Sequence, residues 1–208
     1  NVSKILNQFR NKEADILIGT QMIAKGHDFE NVTLVGIVLA DIGLAIPSFR
    51  SSERAFQLIT QAVGRSGRGS KQGEAIIQTY LPSNFAINFA AKQDYNTFFK
   101  RELYNRSLSK YPPYSHLLSI KIKTKNETLS KEISTKISTD LRNLNLEDVT
   151  VLGPTEPYIN FEKGYYTKLI IIKYSKGELI RKEILKIQKN LMRRSDVKIS
   201  IDIDPYDF

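Results

Sequence analysis

The fold is decided at residues 32–41, which read Val32-Thr33-Leu34-Val35-Gly36-Ile37-Val38-Leu39-Ala40-Asp41. This run is apolar and rich in β-branched residues up to the aspartate, which is typical of a parallel strand covered on both faces. Before it, residues 15–20 (Asp-Ile-Leu-Ile-Gly-Thr) predict a buried strand that ends in a loop, and residues 5–9 predict a helix. After it, residues 74–80 predict a third strand. We therefore expect a parallel sheet.

A helix is predicted between the second and third of these strands. Ser51 and Ser52 can cap its N-terminus, and Glu53 lies in its first turn, where a carboxylate interacts favourably with the helix dipole. The apolar residues that follow have helical spacing: Phe56, Ile59 and Val63. Gly64 then opens a glycine-rich stretch that ends the helix. The order of strand, helix and strand is that of an α/β domain.

A second domain is predicted after a helical connector. Residues 85–109 have a helical pattern with exposed charges, and the sequence Tyr111-Pro112-Pro113-Tyr114 cannot continue a helix. We therefore assign residues 1–109 to the first domain with its connector and residues 110–208 to the second. The second domain has predicted strands at 117–123, 149–152, 166–174 and 197–203, and predicted helices at 127–144 and 177–192. This βαββαβ order predicts a small α+β domain with a ferredoxin-like fold.

The composition fits a globular protein that interacts with polyanions. Hydrophobic residues make up 41% of the 208 residues and charged residues 25%, which is enough apolar mass for a packed core. The net charge of +9 produces the positive long-range field that is expected of a nucleic-acid-binding protein. Many basic proteins, however, bind no nucleic acid. No apolar run approaches the roughly 20 residues of a membrane span, and no signal peptide is recognised, so we expect a cytoplasmic protein. The absence of cysteine excludes disulfides and thiolate metal sites, and no metal site is expected in this chain.

The stretch Gln61-Ala62-Val63-Gly64-Arg65-Ser66-Gly67-Arg68-Gly69 carries the clearest chemical signal. Arg65 and Arg68 lie three positions apart at the glycine-rich end of a helix, so both guanidinium groups can reach one place while the glycines let a phosphate chain approach. A solvated basic turn is the alternative on this spacing alone. Residues 19–29 follow the C-terminal end of a predicted parallel strand, where ligand loops lie in α/β sheets. The two stretches together favour phosphate binding.

Both stretches resemble motifs of the superfamily 2 helicases, namely motifs V and VI. The second is the signature Gln-x-x-Gly-Arg-x-x-Arg, formed here by Gln61, Gly64, Arg65 and Arg68. Further sequence stretches narrow the resemblance to the PriA family of bacterial primosomal replication-restart helicases. With them, the resemblance extends over essentially the whole chain. The stretches that carry it are residues 19–26 (Gly-Thr-Gln-Met-Ile-Ala-Lys-Gly), 31–35, Asp41, 49–50, 111–113 and 202–205.

The resemblance implies that residues 1–109 form the second of two RecA-like lobes, with ATP bound between the lobes. Arg68 is then the arginine finger on the γ-phosphate, Arg65 is its companion, and Gln61 is a coupling residue at the same interface between the lobes. An arginine finger stabilises the charge of the transferring phosphoryl group and contributes about 10³–10⁵ in rate. The positions expected near the nucleotide are Gly26, Asp28 and Gly64. Thr20 is expected to touch the DNA backbone.

The residues that would bind the expected cofactors are not all present in this sequence. The sequence contains neither a Gly-x-x-x-x-Gly-Lys-Ser/Thr loop nor an acidic Walker B strand, which are the usual ligands of phosphates and Mg²⁺. The resemblance implies that these parts, together with the zinc-binding cysteines of the family, lie upstream in a longer protein. We therefore expect ATP and Mg²⁺ as cofactors of the full-length protein, zinc in an upstream domain, and no activity from this chain alone.

The function implied by the resemblance is that of an ATP-dependent 3′-to-5′ DNA helicase that restarts stalled replication forks and starts primosome assembly. The expected partners are branched or forked DNA, single-stranded DNA, single-strand DNA-binding protein and other primosome proteins. Two alternatives stay open. One is a nonenzymatic DNA-binding or primosome scaffold module, and the other is a different superfamily 2 helicase, for example one that acts on RNA.

The second domain contains candidate nucleic-acid ligands. Lys163 and Lys168 are predicted to bind DNA, because they lie among aromatic residues that can stack on bases. Those aromatic residues are Tyr158, Phe161, Tyr165 and Tyr166. Packing of the same rings within a hairpin is an equally weighted alternative. Lys121, Lys123 and Lys173 are further candidates for phosphate contacts.

Overall fold

The structure is a computed structural model and describes residues 2–21, 29, 32–66 and 73–207. The chain divides into two compact units, Asn1–Glu102 and Leu103–Phe208. The predicted domain boundary lies seven residues further along the chain, between 109 and 110. Among the described residues, no helix combines the length and apolarity that a membrane span requires.

The first unit contains one parallel strand pair with helices before, between and after the strands. Its elements are α1 (Val2–Arg10), β1 (Leu34–Ile37), α2 (Ile42–Ala45), α3 (Ser51–Val63), β2 (Glu74–Ile77), α4 (Phe85–Ala91) and α5 (Tyr95–Leu108), which continues into the second unit. Strands β1 and β2 are parallel, with Leu34 opposite Glu74 and Ile37 opposite Ile77. The predicted parallel pairing of these two strands is confirmed.

The sheet is smaller and more open than the apolar runs predict. Residues 15–20 form no strand, and Ile16 and Ile18 are 78% and 89% exposed, so the prediction of a buried strand is wrong. Strand β1 has only four residues, and Leu34 at its start is exposed. An apolar run becomes a buried strand only when it gains a neighbouring strand and cover on both faces. Among the described residues, β1 has one partner strand, and residues 15–20 have none.

The core of the first unit lies between α3, α4 and α5. Its buried apolar residues are Ala40, Phe56, Ile59, Ala86, Ile87, Ala90 and Phe98. The rings of Phe56 and Phe98 stack with centroids 4.1 Å apart, which ties α3 to α5. The amphipathic spacing predicted for residues 53–63 is confirmed, because Phe56 and Ile59 both point into this core.

Two details of these helices differ from the prediction. Ser51 is already helical, and its hydroxyl donates to the carbonyl oxygens of Ile46 at 2.5 Å and Ser48 at 2.6 Å. It therefore fastens the preceding loop instead of capping α3. The continuous helix predicted over 85–109 is interrupted at Gln93, whose φ is +53°. A new helix starts there because the Asp94 carboxylate accepts the amide of Thr97 at 3.0 Å.

The second unit contains a five-stranded antiparallel sheet with two long helices. After the end of α5 come β3 (His116–Thr124), α6 (Glu127–Asn143), β4 (Val149–Thr155), β5 (Phe161–Glu162), β6 (Tyr165–Tyr174), α7 (Glu178–Met192) and β7 (Val197–Ile203). The order across the sheet is β4-β6-β3-β7, and the short β5 forms a hairpin with β6. This arrangement confirms the predicted ferredoxin-like βαββαβ order, and with the first unit it confirms the α/β fold class.

The helices α6 and α7 cover one face of this sheet. On that face Ile120 of β3 lies opposite Ile170 of β6 and Ile201 of β7, and the helices contribute residues such as Ile133 and Ile184 to the same core. Side chains alternate between the two faces of a strand. The alternate positions of β3, including Lys121 and Lys123, therefore lie on the face away from α6 and α7.

Candidate functional site

The C-terminal end of α3 carries the described part of the expected nucleotide site. Gln61 lies in the last turn of the helix and is exposed. Gly64 follows with φ −67° and ψ 0°, and its amide donates to the carbonyl oxygen of Thr60 at 2.9 Å. A Cβ atom at Gly64 would lie only 3.2 Å from that oxygen. The glycine thus ends α3, as predicted, through a tight turn and without a left-handed conformation.

Arg65 follows on a backbone that is still fixed by hydrogen bonds. Its amide donates to the carbonyl oxygen of Ala62 at 3.0 Å. Both the amide and the hydroxyl of Ser66 donate to the carbonyl oxygen of Val63, at 3.2 and 2.9 Å. The half-buried Arg65 side chain therefore projects from an ordered turn. Arg68 lies outside the described residues, so the convergence of the two guanidinium groups stays a prediction.

The other expected nucleotide and DNA ligands of the first unit lie in the segment before β1. Thr20 is exposed and follows an irregular segment instead of a strand. Gly26 and Asp28 lie outside the described residues. The role predicted for each of these three positions therefore stays a prediction, and only the strand expected to precede them is corrected.

Asp41 joins the ends of the two parallel strands. One carboxylate oxygen accepts the hydroxyl of Thr79 at 2.8 Å, and the other accepts the amide of Tyr80 at 3.0 Å. Desolvation alone would raise the pKa of Asp41, but these hydrogen bonds outweigh it and hold the pKa below its usual value. In the sequence, Asp41 was singled out only because it is one of the positions that resemble the PriA family. The structure gives it a positional role, because the segments that follow β1 and β2 are held together at this carboxylate.

The two lysines predicted to bind DNA have different surroundings. Lys163 occupies the turn between β5 and β6, and its side chain is 86% exposed, with Glu162 at 3.8 Å. Lys168 is mostly covered, with 13% side-chain exposure, and its ammonium group donates to Glu156 at 2.6 Å. That hydrogen bond, followed by one from Asn160, lowers the pKa of Glu156. A phosphate would have to displace Glu156 to reach Lys168, whereas Lys163 is open to solvent.

Two further lysines of the second unit contact aromatic rings. The ammonium group of Lys173 donates to the carbonyl oxygen of Ser109 at 2.8 Å and lies 3.5 Å from the centroid of the Tyr111 ring. Its burial lowers the pKa of Lys173. The ammonium group of Lys198 lies 4.2 Å from the centroid of the Tyr165 ring. Sequence reasoning missed Lys198 because its neighbours depend on the register between β3 and β7, which no local pattern reveals.

Comparison with known proteins gives these positions their family context. Residues 107–206 match the family model described as the primosomal protein N C-terminal domain. Residues 1–70 match the model described as the helicase conserved C-terminal domain. The chain belongs to the PriA family. The resemblance predicted from the motifs is confirmed.

Relatives in the PriA family match the chain over almost its whole length. The protein from Bacillus subtilis is 42% identical over 206 residues, which cover 98% of this chain and 26% of the relative. The protein from Borreliella burgdorferi is 38% identical over 201 residues, covering 96% and 30%. The protein from Rickettsia felis is 37% identical over 208 residues, covering 100% and 32%. All three are named replication restart protein PriA, and the chain spans about a quarter to a third of their lengths.

The matched regions of the PriA family separate the two groups of candidate residues. Gln61, Gly64, Arg65 and Arg68 lie in the helicase region, and Lys163 lies in the primosomal region. Among solved structures, the de novo designed protein Foldit4 matches with a TM-score of 0.36 and 13% identity, and the match covers 44% of this chain and 97% of Foldit4.

Proposed function

We propose that this chain is the C-terminal part of an ATP-dependent 3′-to-5′ DNA helicase that restarts stalled replication forks and starts primosome assembly. The observation that carries the proposal is the position of Gln61, Gly64, Arg65 and Arg68 within the region that matches the helicase conserved C-terminal domain. The relatives that match the rest of the chain are named replication restart proteins, which supports the cellular role. ATP dependence and polarity rest on the family resemblance.

The chain supplies the arginine side of the proposed ATP site. Arg65 projects from an ordered turn after Gly64, and Arg68 follows three positions later. When bound there, ATP would supply the phosphoryl group whose transfer releases the energy for unwinding. Arg68 would stabilise the negative charge that develops on that group, with Arg65 and Gln61 beside it. The phosphate loop and the Mg²⁺ carboxylate would come from the remainder of the full-length protein, as would the zinc-binding cysteines.

The second unit is proposed to engage the partners of the helicase. A ferredoxin-like domain has no activity of its own that follows from its fold, so its role must come from its surface. The chain as a whole carries a net charge of +9, which favours polyanions, and branched or forked DNA and single-stranded DNA are the proposed ligands. Single-strand DNA-binding protein and other primosome proteins are the proposed protein partners, in keeping with the primosomal name of the matched family.

The proposal is tested with the full-length protein. ATP hydrolysis is measured with and without forked DNA, and unwinding is measured on duplexes with a single-stranded tail at either the 3′ or the 5′ end. We expect hydrolysis that depends on DNA and unwinding of the substrate with the 3′ tail. Binding of forked DNA without hydrolysis would instead favour a scaffold, and stimulation by RNA alone would favour a different superfamily 2 helicase. The 208-residue chain by itself is the control and should not hydrolyse ATP.

A further inference from the structure

Four lysines lie together on the face of the second-unit sheet opposite α6 and α7. We call them the lysine patch: Lys121, Lys123, Lys125 and Lys198. In the register of β3 and β7, Lys123 lies directly opposite Lys198, and Lys121 lies opposite Ser200. Lys125 directly follows the end of β3 at Thr124, and its charge acts on Tyr165. Lys125 and Lys198 are exposed, and Lys121 and Lys123 are half-buried.

The lysine patch is not explained by the stability of the sheet. Like charges directly opposite each other on neighbouring strands are destabilising, and Lys123 and Lys198 are such a pair. Lysine on an edge strand can prevent unwanted strand pairing, and this reason applies to Lys198 on the edge strand β7. It does not apply to Lys121 and Lys123, because β3 lies between two strands. A ligand that neutralises the charges accounts for all four positions.

The charge of the lysine patch is not balanced by nearby acids. Within the part of the chain that the structure describes, the ion pairs of the second unit involve other cations, and none joins a carboxylate to the lysine patch. The acidic residue on the same face of β7 is Asp202, which lies opposite Ser119 and two positions beyond Ser200. Among the described residues, the lysine patch therefore forms no ion pair with a carboxylate.

An aromatic ring lies beside the lysine patch. Tyr165 begins β6, and its half-buried ring lies 4.2 Å from the ammonium group of Lys198. The hydrogen bond with Lys198 is the main cause that lowers the pKa of Tyr165, and the charges of Lys198 and Lys125 act in the same direction. The contact that the structure shows is the one between Lys198 and the Tyr165 ring. An aromatic ring among several cations is the combination by which sheet surfaces bind bases and phosphates of single strands.

The remaining lysines of the domain differ from the lysine patch. Lys168 is engaged by Glu156, and Lys173 is covered by Tyr111 and the carbonyl oxygen of Ser109. Lys163 lies at the tip of the β5–β6 turn, beyond Tyr165. Of the five lysines that the sequence offered as phosphate ligands, Lys121 and Lys123 are the two that join the lysine patch.

We propose that the lysine patch and Tyr165 form a binding surface for single-stranded nucleic acid, with the lysines contacting successive phosphates and the Tyr165 ring contacting a base. The inference deepens the proposed function, because it names the surface on which the second unit would hold an exposed strand. An acidic peptide would satisfy the lysines but would leave the aromatic ring without a matching group. The sheet surface and its ring thus favour a nucleic acid over a peptide.

The test compares charge-matched variants of the 208-residue chain. Binding of a labelled oligothymidine of about 20 nucleotides is followed by fluorescence anisotropy at several salt concentrations, and an oligouridine of the same length distinguishes DNA from RNA. The patch variant is Lys123→Gln with Lys198→Gln. The control is Lys131→Gln with Lys136→Gln, which removes the same charge from exposed positions on α6, across the sheet. Circular dichroism checks folding, and Lys198→Gln alone serves if the half-buried Lys123 position does not tolerate glutamine.

We expect the patch variant to lose affinity about tenfold or more and to flatten the slope of log affinity against log salt by about 1.4, since each phosphate contact on a single strand contributes about 0.7. The control should change neither value by a comparable amount. Tyr165→Leu should lose about tenfold in affinity, while Tyr165→Phe, which keeps the ring, should lose little. Equal losses in the patch variant and the control would overturn the proposal, as would the absence of oligonucleotide binding at low salt.

Binding of a labelled oligoaspartate peptide shows whether the lysine patch binds an acidic peptide or a nucleic acid. If the patch variant loses peptide binding but keeps oligonucleotide binding, the surface is a peptide site and the proposal is wrong. The measurement uses no ATP and no other part of the full-length protein. A failure here therefore leaves the helicase assignment intact, and a full-length protein that does not hydrolyse ATP leaves this binding surface intact.

Discussion

Nδ1 of His116 lies 3.0 Å from Oδ2 of Asp204, and Oδ1 of the same carboxylate accepts the amide of Leu117 at 2.9 Å. The amide of Asp204 donates in turn to the carbonyl oxygen of Leu117 at 2.8 Å. Asp204 therefore fastens the end of β7 to the start of β3. Desolvation alone would raise the pKa of Asp204, but the hydrogen bonds from Leu117 and His116 outweigh it, so the pKa lies below its usual value of 3.8.

Replacing the Asp204 carboxylate should make the free energy of unfolding less dependent on pH in the acidic range. Because the pKa of Asp204 is lower in the folded than in the unfolded protein, its contribution is present above the unfolded pKa and is lost as the pH falls through the folded pKa. Asp204→Ala should lower the free energy of unfolding by about 1 kcal/mol at neutral pH, a modest value because the carboxylate is half exposed. Urea unfolding at neutral and acidic pH measures the difference. Asp202→Ala, on the same strand, is the control, and a deficit for Asp204→Ala that persists below the folded pKa would contradict the assignment.

Phe98 should be among the most sensitive positions of the first unit. It is 3% exposed and lies between the rings of Phe56 and Phe85, with centroid distances of 4.1 and 5.9 Å. Phe98→Ala leaves a cavity and should lower the free energy of unfolding by about 3–5 kcal/mol. The matched control is Phe99→Ala, because Phe99 is 46% exposed and should lose far less. Similar losses for both variants in urea unfolding would show that the core does not depend on this ring stack.

Two glycines with positive φ should respond differently to the same substitution. Gly153 has φ +90°, and a Cβ atom there would lie 2.7 Å from the carbonyl oxygen of Leu169. Gly164, in the turn between β5 and β6, has φ +77° with no atom within 4 Å of the added Cβ. Gly164→Ala should cost only the backbone strain, about 1 kcal/mol, while Gly153→Ala should cost at least 1–2 kcal/mol more, roughly, because its backbone neighbours must move. Thermal unfolding of the two variants provides the comparison, and equal shifts would contradict the steric argument.

Arg68 should act on the rate of hydrolysis and not on DNA affinity. In the full-length protein, Arg68→Ala should slow DNA-stimulated ATP hydrolysis by about 10³-fold or more, because the proposed arginine finger would stabilise charge that develops mainly in the transition state. Arg68→Lys keeps the charge but loses the planar pair of donors, so it should recover only part of the rate. Steady-state hydrolysis and fork-DNA binding are measured in parallel. Loss of DNA binding with hydrolysis retained would identify Arg68 as a ligand of the DNA backbone.

Local patterns predicted most elements of the second unit, although not the short β5 or the last three residues of β4. The helix predicted at 127–144 is α6 (Glu127–Asn143), and it starts where predicted because the Asn126 side chain accepts the amide of Leu129. Alternating apolar residues predicted β7 at its observed bounds. These elements were predictable because each buries its apolar face on one partner within the same domain. The prediction of a strand at residues 15–20 was wrong. Their apolar run has the composition of a strand, but it has no partner strand among the described residues.

By itself, the sequence determined the family, because the motif formed by Gln61, Gly64, Arg65 and Arg68 and the other stretches that carry the resemblance can be recognised along the chain without a structure. It also determined the βαββαβ order, which depends on periodicities along the chain. Only the tertiary structure decided which lysines form a common surface. Lys123 and Lys198 are 75 positions apart and meet through the β3–β7 register, while Lys168 is engaged by Glu156. Strand register is set by packing of the whole domain, so the neighbours of a charged side chain follow from the fold and not from its position in the chain.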